Sequence, residues 1–144
     1  MELSKALRTG YYAKLNGAVM NGINPVPVYD AYAIPANVSY PYILLSSQTS
    51  AQLGAKGCKI YEASLLIDIV TGSTYVSGRD QAETIADQIE LLVNPDDNQN
   101  LNIETNGYEI LTTYRRSDSD QTAKNGTYYI YRKLMRYEHK ISKL

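Results

Sequence analysis

Apolar residues that recur every three or four positions predict two helices in this chain. Near the start these residues are Leu3, Leu7, Tyr11 and Leu15, and in the middle they are Ala82, Ile85, Ala86, Ile89, Leu92 and Val93. The first stripe predicts a helix over residues 2–20 and the second predicts one over residues 77–93. Ser77 followed by Asp80 is close to a capping box, which favours a helix start at this point.

Five other segments have the alternation or the β-rich composition of strands. They are residues 23–30, 40–47, 58–70, 108–116 and 127–139. In the third segment the odd positions are apolar whereas Glu62 and Asp68 are polar, which is typical of a strand with one buried face. Two polar connections, residues 46–57 and 116–126, are expected to be long hairpin loops, and the second is expected to be mobile.

The order of these elements predicts one α+β domain over residues 1–144. We expect two helices packed on a mostly antiparallel five-stranded sheet, in the order α-β-β-β-α-β-β. No segment approaches the roughly 18 consecutive apolar residues of a membrane helix. The first residues lack a basic region followed by an apolar run, so we expect a soluble protein without a standard export signal.

The formal net charge is only −1, but the charges are unevenly distributed. Residues 80–104 contain seven acidic side chains and no basic one, whereas residues 115–144 contain eight basic side chains against three acidic ones. Two patches of unlike sign suit head-to-tail pairing of subunits. Two solvated surfaces of unlike sign explain the same pattern.

Tyrosine is the only large aromatic residue, because the chain has 14 tyrosines and neither phenylalanine nor tryptophan. A tyrosine ring is apolar and its hydroxyl needs a partner, so the residue suits subunit contacts, although some tyrosines must serve as core. In the last predicted strand, Tyr129, Tyr131 and Tyr137 share one face, and Ile130 and Leu134 lie on the other. Such a strand is either central in the sheet or covered by another subunit.

Few residues could support catalysis or bind a metal ion. His139 is the only histidine, and we expect it at a strand end or in the tail rather than as a general base. Cys58 is the only cysteine, which excludes an intrachain disulfide, and we expect it to be a small apolar residue at the start of a strand. A structural zinc site needs about four Cys or His ligands and is therefore excluded. The oxygen-rich residues 96–100 and 117–120 lack the spacing of a calcium loop. We expect no enzyme, no cofactor and no metal.

Several short motifs occur in a fixed order along nearly the whole chain. They are Val26-Pro-Val-Tyr-Asp30, Tyr40-Pro-Tyr-Ile-Leu-Leu45, the strand over residues 60–70, the helix over residues 77–93, Tyr108-Glu-Ile-Leu and Thr127-Tyr-Tyr-Ile-Tyr-Arg. In this order and spacing the chain resembles the tail-completion or tail-terminator family of tailed bacteriophages, small proteins that cap the tail tube or lie at the head-tail joint. It departs from the family pattern in residues 116–126 and in its basic end.

The resemblance implies a structural virion protein that forms a homo-oligomeric ring, a hexamer or a dodecamer, which terminates the tail or joins it to the capsid connector. It implies tail tube, neck or connector proteins as partners, DNA that passes transiently through the lumen, and no membrane. It implies a place in the tail or neck of the virion after assembly in the cytoplasm of the bacterial host.

The surfaces expected to form the ring are the last strand and the acidic helix. Their candidate interface residues are Tyr129, Tyr131, Tyr137, Arg132, Arg136, Glu83, Asp87 and Glu90. A head-tail adaptor or another neck ring protein is an alternative in the same class. A monomeric module that binds a peptide or a small ligand is an alternative of another class, and it predicts a monomer with an apolar pocket.

Overall fold

The computed structural model describes residues 1–54, 57–74, 78–95 and 101–144. In chain order its elements are α1 (Leu3–Leu15), β1 (Met20–Asn21), β2 (Asn24–Pro25), β3 (Val28–Asp30), β4 (Tyr42–Leu53), β5 (Ile60–Ser73), α2 (Arg79–Val93), a 3-10 helix (Glu104–Asn106), β6 (Tyr108–Asn125) and β7 (Tyr128–Lys143). The predicted α+β fold with two α-helices is confirmed for these residues.

The main sheet is mixed, with the strand order β3-β4-β5-β7-β6, and β1 and β2 form a separate two-stranded sheet. Strand β3 is parallel to β4, whereas the other three pairings of the main sheet are antiparallel. The sequence predicted five strands and a mostly antiparallel sheet, but it did not predict the parallel edge or the small second sheet.

Both helices pack on one face of the sheet, and the core lies between the helices and this face. Helix α1 buries Leu7 and Tyr11, and α2 buries Ile85 and Ile89. The odd residues of β5 from Ala63 to Ile69 supply the sheet side of this core, as the alternation predicts. Burying each large aliphatic side chain contributes about 1.5–3 kcal/mol, so this layer accounts for most of the apolar stabilisation.

Helix α1 is shorter than predicted, because it ends at Leu15 and not near residue 20. Asn16 leaves the helical region with φ −66° and ψ 120°, and Gly17 has a φ of +81°. A positive φ strains residues other than glycine, so Gly17 fixes the turn. The next residues then pair as the β1–β2 hairpin.

The two predicted long loops are mostly strand. Strand β4 continues to Leu53 with an irregularity between Leu45 and Gln48, and β6 continues to Asn125. Every residue of β6 beyond Arg115 is exposed, so this part of the strand buries no apolar residue. Its extended conformation is stabilised by backbone pairing with β7. Hydrophobic alternation cannot detect a strand that is solvated on both faces. Gly126, with φ +63°, makes the tight turn that replaces the predicted mobile loop.

Two single-residue expectations are wrong, and a third concerns a residue outside the described ranges. Cys58 lies exposed in the turn before β5, which begins only at Ile60. His139 lies inside β7, which continues to Lys143, and its side chain is fully buried. Helix α2 begins at Arg79, and the proposed cap Ser77 lies outside the described residues.

In the described ranges, none of the helices has the length and hydrophobicity needed to cross a membrane.

Candidate assembly surface

The main sheet has two open edges. Strand β6 forms one edge, and no other strand of the described chain pairs with its outer side. At the opposite edge, β3 covers β4 only beside Ile43, Leu44 and Leu45. Because an unpaired strand presents free N–H and C=O groups, both β6 and the outer half of β4 can accept a further strand.

The acidic side of α2 overlooks the β6 edge. Glu83, Asp87 and Glu90 follow one another at helical spacing, so they lie on one side of α2. Glu83 and Asp87 are exposed, and the Glu83 carboxylate lies 3.3 Å from Nε of Arg79 at the surface. Glu90 is partly buried, and its Oε2 lies 3.8 Å from Nη1 of Arg115 on β6. We call Glu83 and Asp87 the acidic flank.

Tyr137 belongs to the core of the protomer. Its side chain is fully buried, and its hydroxyl donates a hydrogen bond to the Glu90 carboxylate. Burial, followed by the hydrogen bond to Glu90, raises the pKa of the Tyr137 hydroxyl well above its ordinary value. The contact fastens α2 to β7, so Tyr137 and Glu90 hold the two layers together.

The other two candidate tyrosines lie in different surroundings. Tyr131 is only 3% exposed, and its hydroxyl donates to Oδ2 of Asp120 at 3.2 Å. Tyr129 is 41% exposed, and Nζ of Lys124 lies 5.1 Å from its ring centroid. Of the three tyrosines on this face of β7, Tyr129 alone presents its ring to solvent.

Arg132, whose side chain is 41% exposed, forms an ion pair with the buried Asp68 on the sheet face opposite the helices. Asp68 is 2% exposed, and its Oδ2 lies 3.1 Å from Nε of Arg132, while Nη2 of the same guanidinium contacts the same oxygen. The hydrogen bond to Asp68 raises the pKa of Arg132. A buried carboxylate requires such a partner, so Arg132 compensates the charge of Asp68 within the protomer.

Other basic residues near the end of the chain also have partners within the protomer. Arg136 donates to Ser64 at 2.8 Å and to Ser47 at 3.0 Å, which ties β7 across β5 to β4. Arg115 and Arg116 form ion pairs with Asp118 and Glu138 at 2.6 and 3.3 Å. Of the eight basic residues in this part of the sequence, Arg115, Arg116 and Arg132 are thus compensated by carboxylates within the protomer.

The basic side of α1 overlooks the opposite edge. Arg8 lies 3.4 Å from the Asp30 carboxylate of β3 and donates to Gln48 of β4 at 2.9 Å. Lys5 lies nearly one turn before Arg8, is exposed, and has no ion pair in the described part of the chain. We call Lys5 and Arg8 the basic flank. Arg8 also lines an open cavity of about 260 Å³ with Thr9, Tyr12, Asp30 and Leu45.

A tyrosine cluster covers the helix-free face of the sheet at one end. The ring centroid of Tyr40 lies 5.7 Å from that of Tyr42 and 6.0 Å from that of Tyr128. Tyr40 packs so closely on Gly72 that an added Cβ would lie 2.8 Å from the ring. Sequence reasoning missed this cluster, and the dense Tyr-Pro-Tyr motif at residues 40–42 was the one signal for it.

His139 lies in a buried polar network on the helix side. Its Nε2 lies 2.5 Å from the Tyr11 hydroxyl and its Nδ1 lies 2.9 Å from Oγ1 of Thr113. Burial lowers the pKa of His139 to about 4, because the protonated ring would lose its hydration. The network joins α1, β6 and β7 and leaves the imidazole neutral at pH 7.

The candidate catalytic groups do not come together. His139 pairs in register with Ala63, five positions along β5 from Asp68, and these two side chains lie on opposite faces of the sheet. Cys58 lies in the exposed turn before β5. Within the described ranges, no group of three or more His, Cys, Asp or Glu side chains could hold a metal ion. The oxygen-rich residues 96–100 all lie outside those ranges.

The structure thus defines an α+β protein with a mixed sheet, two open edges and flanks of unlike charge. Its fold is similar to that of a chain in the virion of a native gene transfer agent particle, with a TM-score of 0.57 and 15% sequence identity, over 95% of this chain and 90% of that chain. No protein family model matches the sequence, and no curated protein sequence does.

Proposed function

We propose that this chain is a structural protein of a tailed bacteriophage or of a phage-like particle, and that its copies form a ring at the head-tail joint or at the end of the tail. The observation that carries the proposal is the shared fold with a chain of a gene transfer agent virion, because the two chains correspond over almost their full lengths. The motifs that resemble tail-completion proteins support the position at the tail end or the neck.

The surface of the protomer supports assembly over catalysis. The open edges of β6 and β4 offer backbone groups to neighbours, and the flanks of unlike sign favour a heterologous contact, which closes into a ring when the rotation allows it. The proposed partners are further copies of the chain, in a hexamer or a dodecamer, and the tail tube, neck or connector proteins. DNA would pass transiently through the lumen. The proposed location is the tail or neck of the virion, after assembly in the host cytoplasm.

The first test is the mass of the full chain in solution, measured by native mass spectrometry and light scattering over a range of concentrations, with negative-stain imaging. Six copies of the 16.1 kDa chain give about 97 kDa, and twelve give about 193 kDa. A closed ring, alone or with tail tube and connector proteins, is the expected result. A 16.1 kDa monomer that binds none of these proteins would refute the proposal and favour the ligand-binding alternative.

The second test is the particle itself. Cells that produce particles without this chain are expected to accumulate heads and tails that are not joined, or tails of irregular length, in negative-stain images. Adding back the wild-type chain is expected to restore joined particles. Normal infectious particles without the chain would refute the proposed position.

A further inference from the structure

We infer that copies of this chain assemble head to tail by continuing the main sheet. The β6 edge and the acidic flank of one copy lie against the outer β4 edge and the basic flank of the next. This inference rests on the proposed ring, and it commits to the two surfaces that form the contact.

The strand directions favour this arrangement. In the order β3-β4-β5-β7-β6, strands β4 and β7 run one way and β5 and β6 run the other, because the pairings from β4 to β6 are all antiparallel. A second copy placed beside the first in the same orientation therefore brings its β6 antiparallel to β4. Antiparallel pairing is slightly more stable per residue than parallel pairing.

The two free edges also match in length. The part of β4 beyond β3 covers residues 46–53, which is about 25 Å at about 3.3 Å per residue. The registers across β5 and β7 place residues 48–53 of β4 level with residues 109–115 of β6, whose outer side pairs with no other described strand. Neither edge segment contains a proline, which is one common way to block an exposed strand.

The charges of the two helices choose between two ways of pairing. Helix α1 contains Lys5, Arg8 and Lys14 and no carboxylate, whereas α2 contains four carboxylates and one arginine. In the head-to-tail contact, the acidic flank of one copy meets the basic flank of the next. In a two-fold contact between two β6 edges, two acidic flanks would meet, and like charges oppose that contact.

The basic partner at the β4 edge is α1, because Gln48 of β4 donates a hydrogen bond to the Ser4 carbonyl, which places the neighbouring Lys5 beside this edge. Arg132 pairs with the buried Asp68, and Arg115 pairs with Asp118. These guanidinium groups could contact a neighbour only by losing partners within the protomer. Lys5 could contact a neighbour without losing a partner, because it is exposed and forms no ion pair with any described residue.

Charge reversal tests the contact in the full chain. Lys5→Glu and Asp87→Lys, each alone, are expected to raise the concentration for half-assembly about tenfold, because each replaces an attraction by a repulsion. The double variant in one chain, or an equal mixture of the two single variants, is expected to return to within about threefold of wild type. Lys140→Glu and Glu104→Lys are matched controls at exposed positions outside the two flanks, and they are expected to assemble as wild type does.

Disulfide trapping tests the edges in a Cys58→Ser background. Ala51→Cys on β4 combined with a cysteine at Glu109, Thr112 or Tyr114 on β6 is expected to give a ladder of linked copies in at least one register. The cysteine on β6 alone is expected to give no linked dimer. Such a dimer would establish the two-fold contact and overturn the inference.

The two proposals fail in different ways. If the wild type forms a ring, both charge-reversal variants assemble at the same concentration as the wild type, and no disulfide ladder forms, the sheet continuation is overturned and the ring remains. A wild-type chain that stays monomeric, alone and with its particle proteins, would overturn both.

Discussion

The buried His139 predicts a pH dependence of folding stability with a definite sign and size. Burial lowers its pKa from 6.5 to about 4, so the unfolded chain binds a proton between these two pH values and the folded chain does not. The contribution of this residue to stability is therefore complete above about pH 6.5 and is lost as the pH falls toward 4. A shift of this size corresponds to about 3 kcal/mol, or about 1.4 kcal/mol for each pH unit within the window.

The assay is chemical denaturation between pH 7.5 and pH 4, followed by circular dichroism and tyrosine fluorescence, at a concentration where the chain is monomeric. Other carboxylates titrate in the same range, so His139→Gln serves as the reference, because its amide can contact Tyr11 and Thr113 but does not titrate. The free energy of unfolding of the wild type is expected to fall about 3 kcal/mol further than that of the variant. If the free energies of unfolding of the wild type and the variant change in parallel between pH 7.5 and pH 4, the lowered pKa of His139 does not control this stability.

Three further predictions concern stability, each measured by denaturation at pH 7. Arg132→Met leaves the Asp68 carboxylate buried without a partner and is expected to cost about 3 kcal/mol, and adding Asp68→Asn should recover much of it; an unchanged midpoint in the single variant would contradict the role of this ion pair. Tyr131→Ser removes a core ring and is expected to cost about 3 kcal/mol, whereas Tyr129→Ser should stay within about 0.5 kcal/mol, so equal losses would contradict the difference in burial. Gly72→Ala forces a methyl group against the tyrosine ring that covers it and is expected to cost about 1 kcal/mol, which a neutral result would contradict.

The elements with an apolar period were predictable, and the solvated strand was not. The stripe in α2 and the alternation in β5 depend on neighbours within one element, so the sequence alone shows them. The outer half of β6 is polar except for Ala123, and its extended conformation depends on the pairing with β7. A loop and an exposed edge strand have the same composition in such a segment.

The exposure of the candidate interface residues was predictable only in part, for a related reason. Glu83, Asp87 and Tyr129 are exposed, as an interface requires, whereas Tyr131 and Tyr137 lie in the core. The alternation in β7 correctly placed these tyrosines on one face, but it could not show that α2 covers two of them and leaves the third exposed. Lys5 and Arg8 of α1, which the proposed contact uses, were not among the candidates, because the sequence does not show that α1 lies beside the β4 edge.

The two amphipathic helices, the strand β5 with its apolar face toward the helices, and the lack of residues for a zinc site can be inferred from the sequence, because each depends on local spacing or on the count of a residue type. The burial of Ser64, Asp68 and Val70 on the other face of β5 could not be inferred in this way. Which strands form the edges, which arginines are paired and where His139 lies follow from the folded arrangement. These properties arise between residues far apart in the chain, such as Tyr11 with His139 and Asp68 with Arg132, and only folding brings them within contact distance.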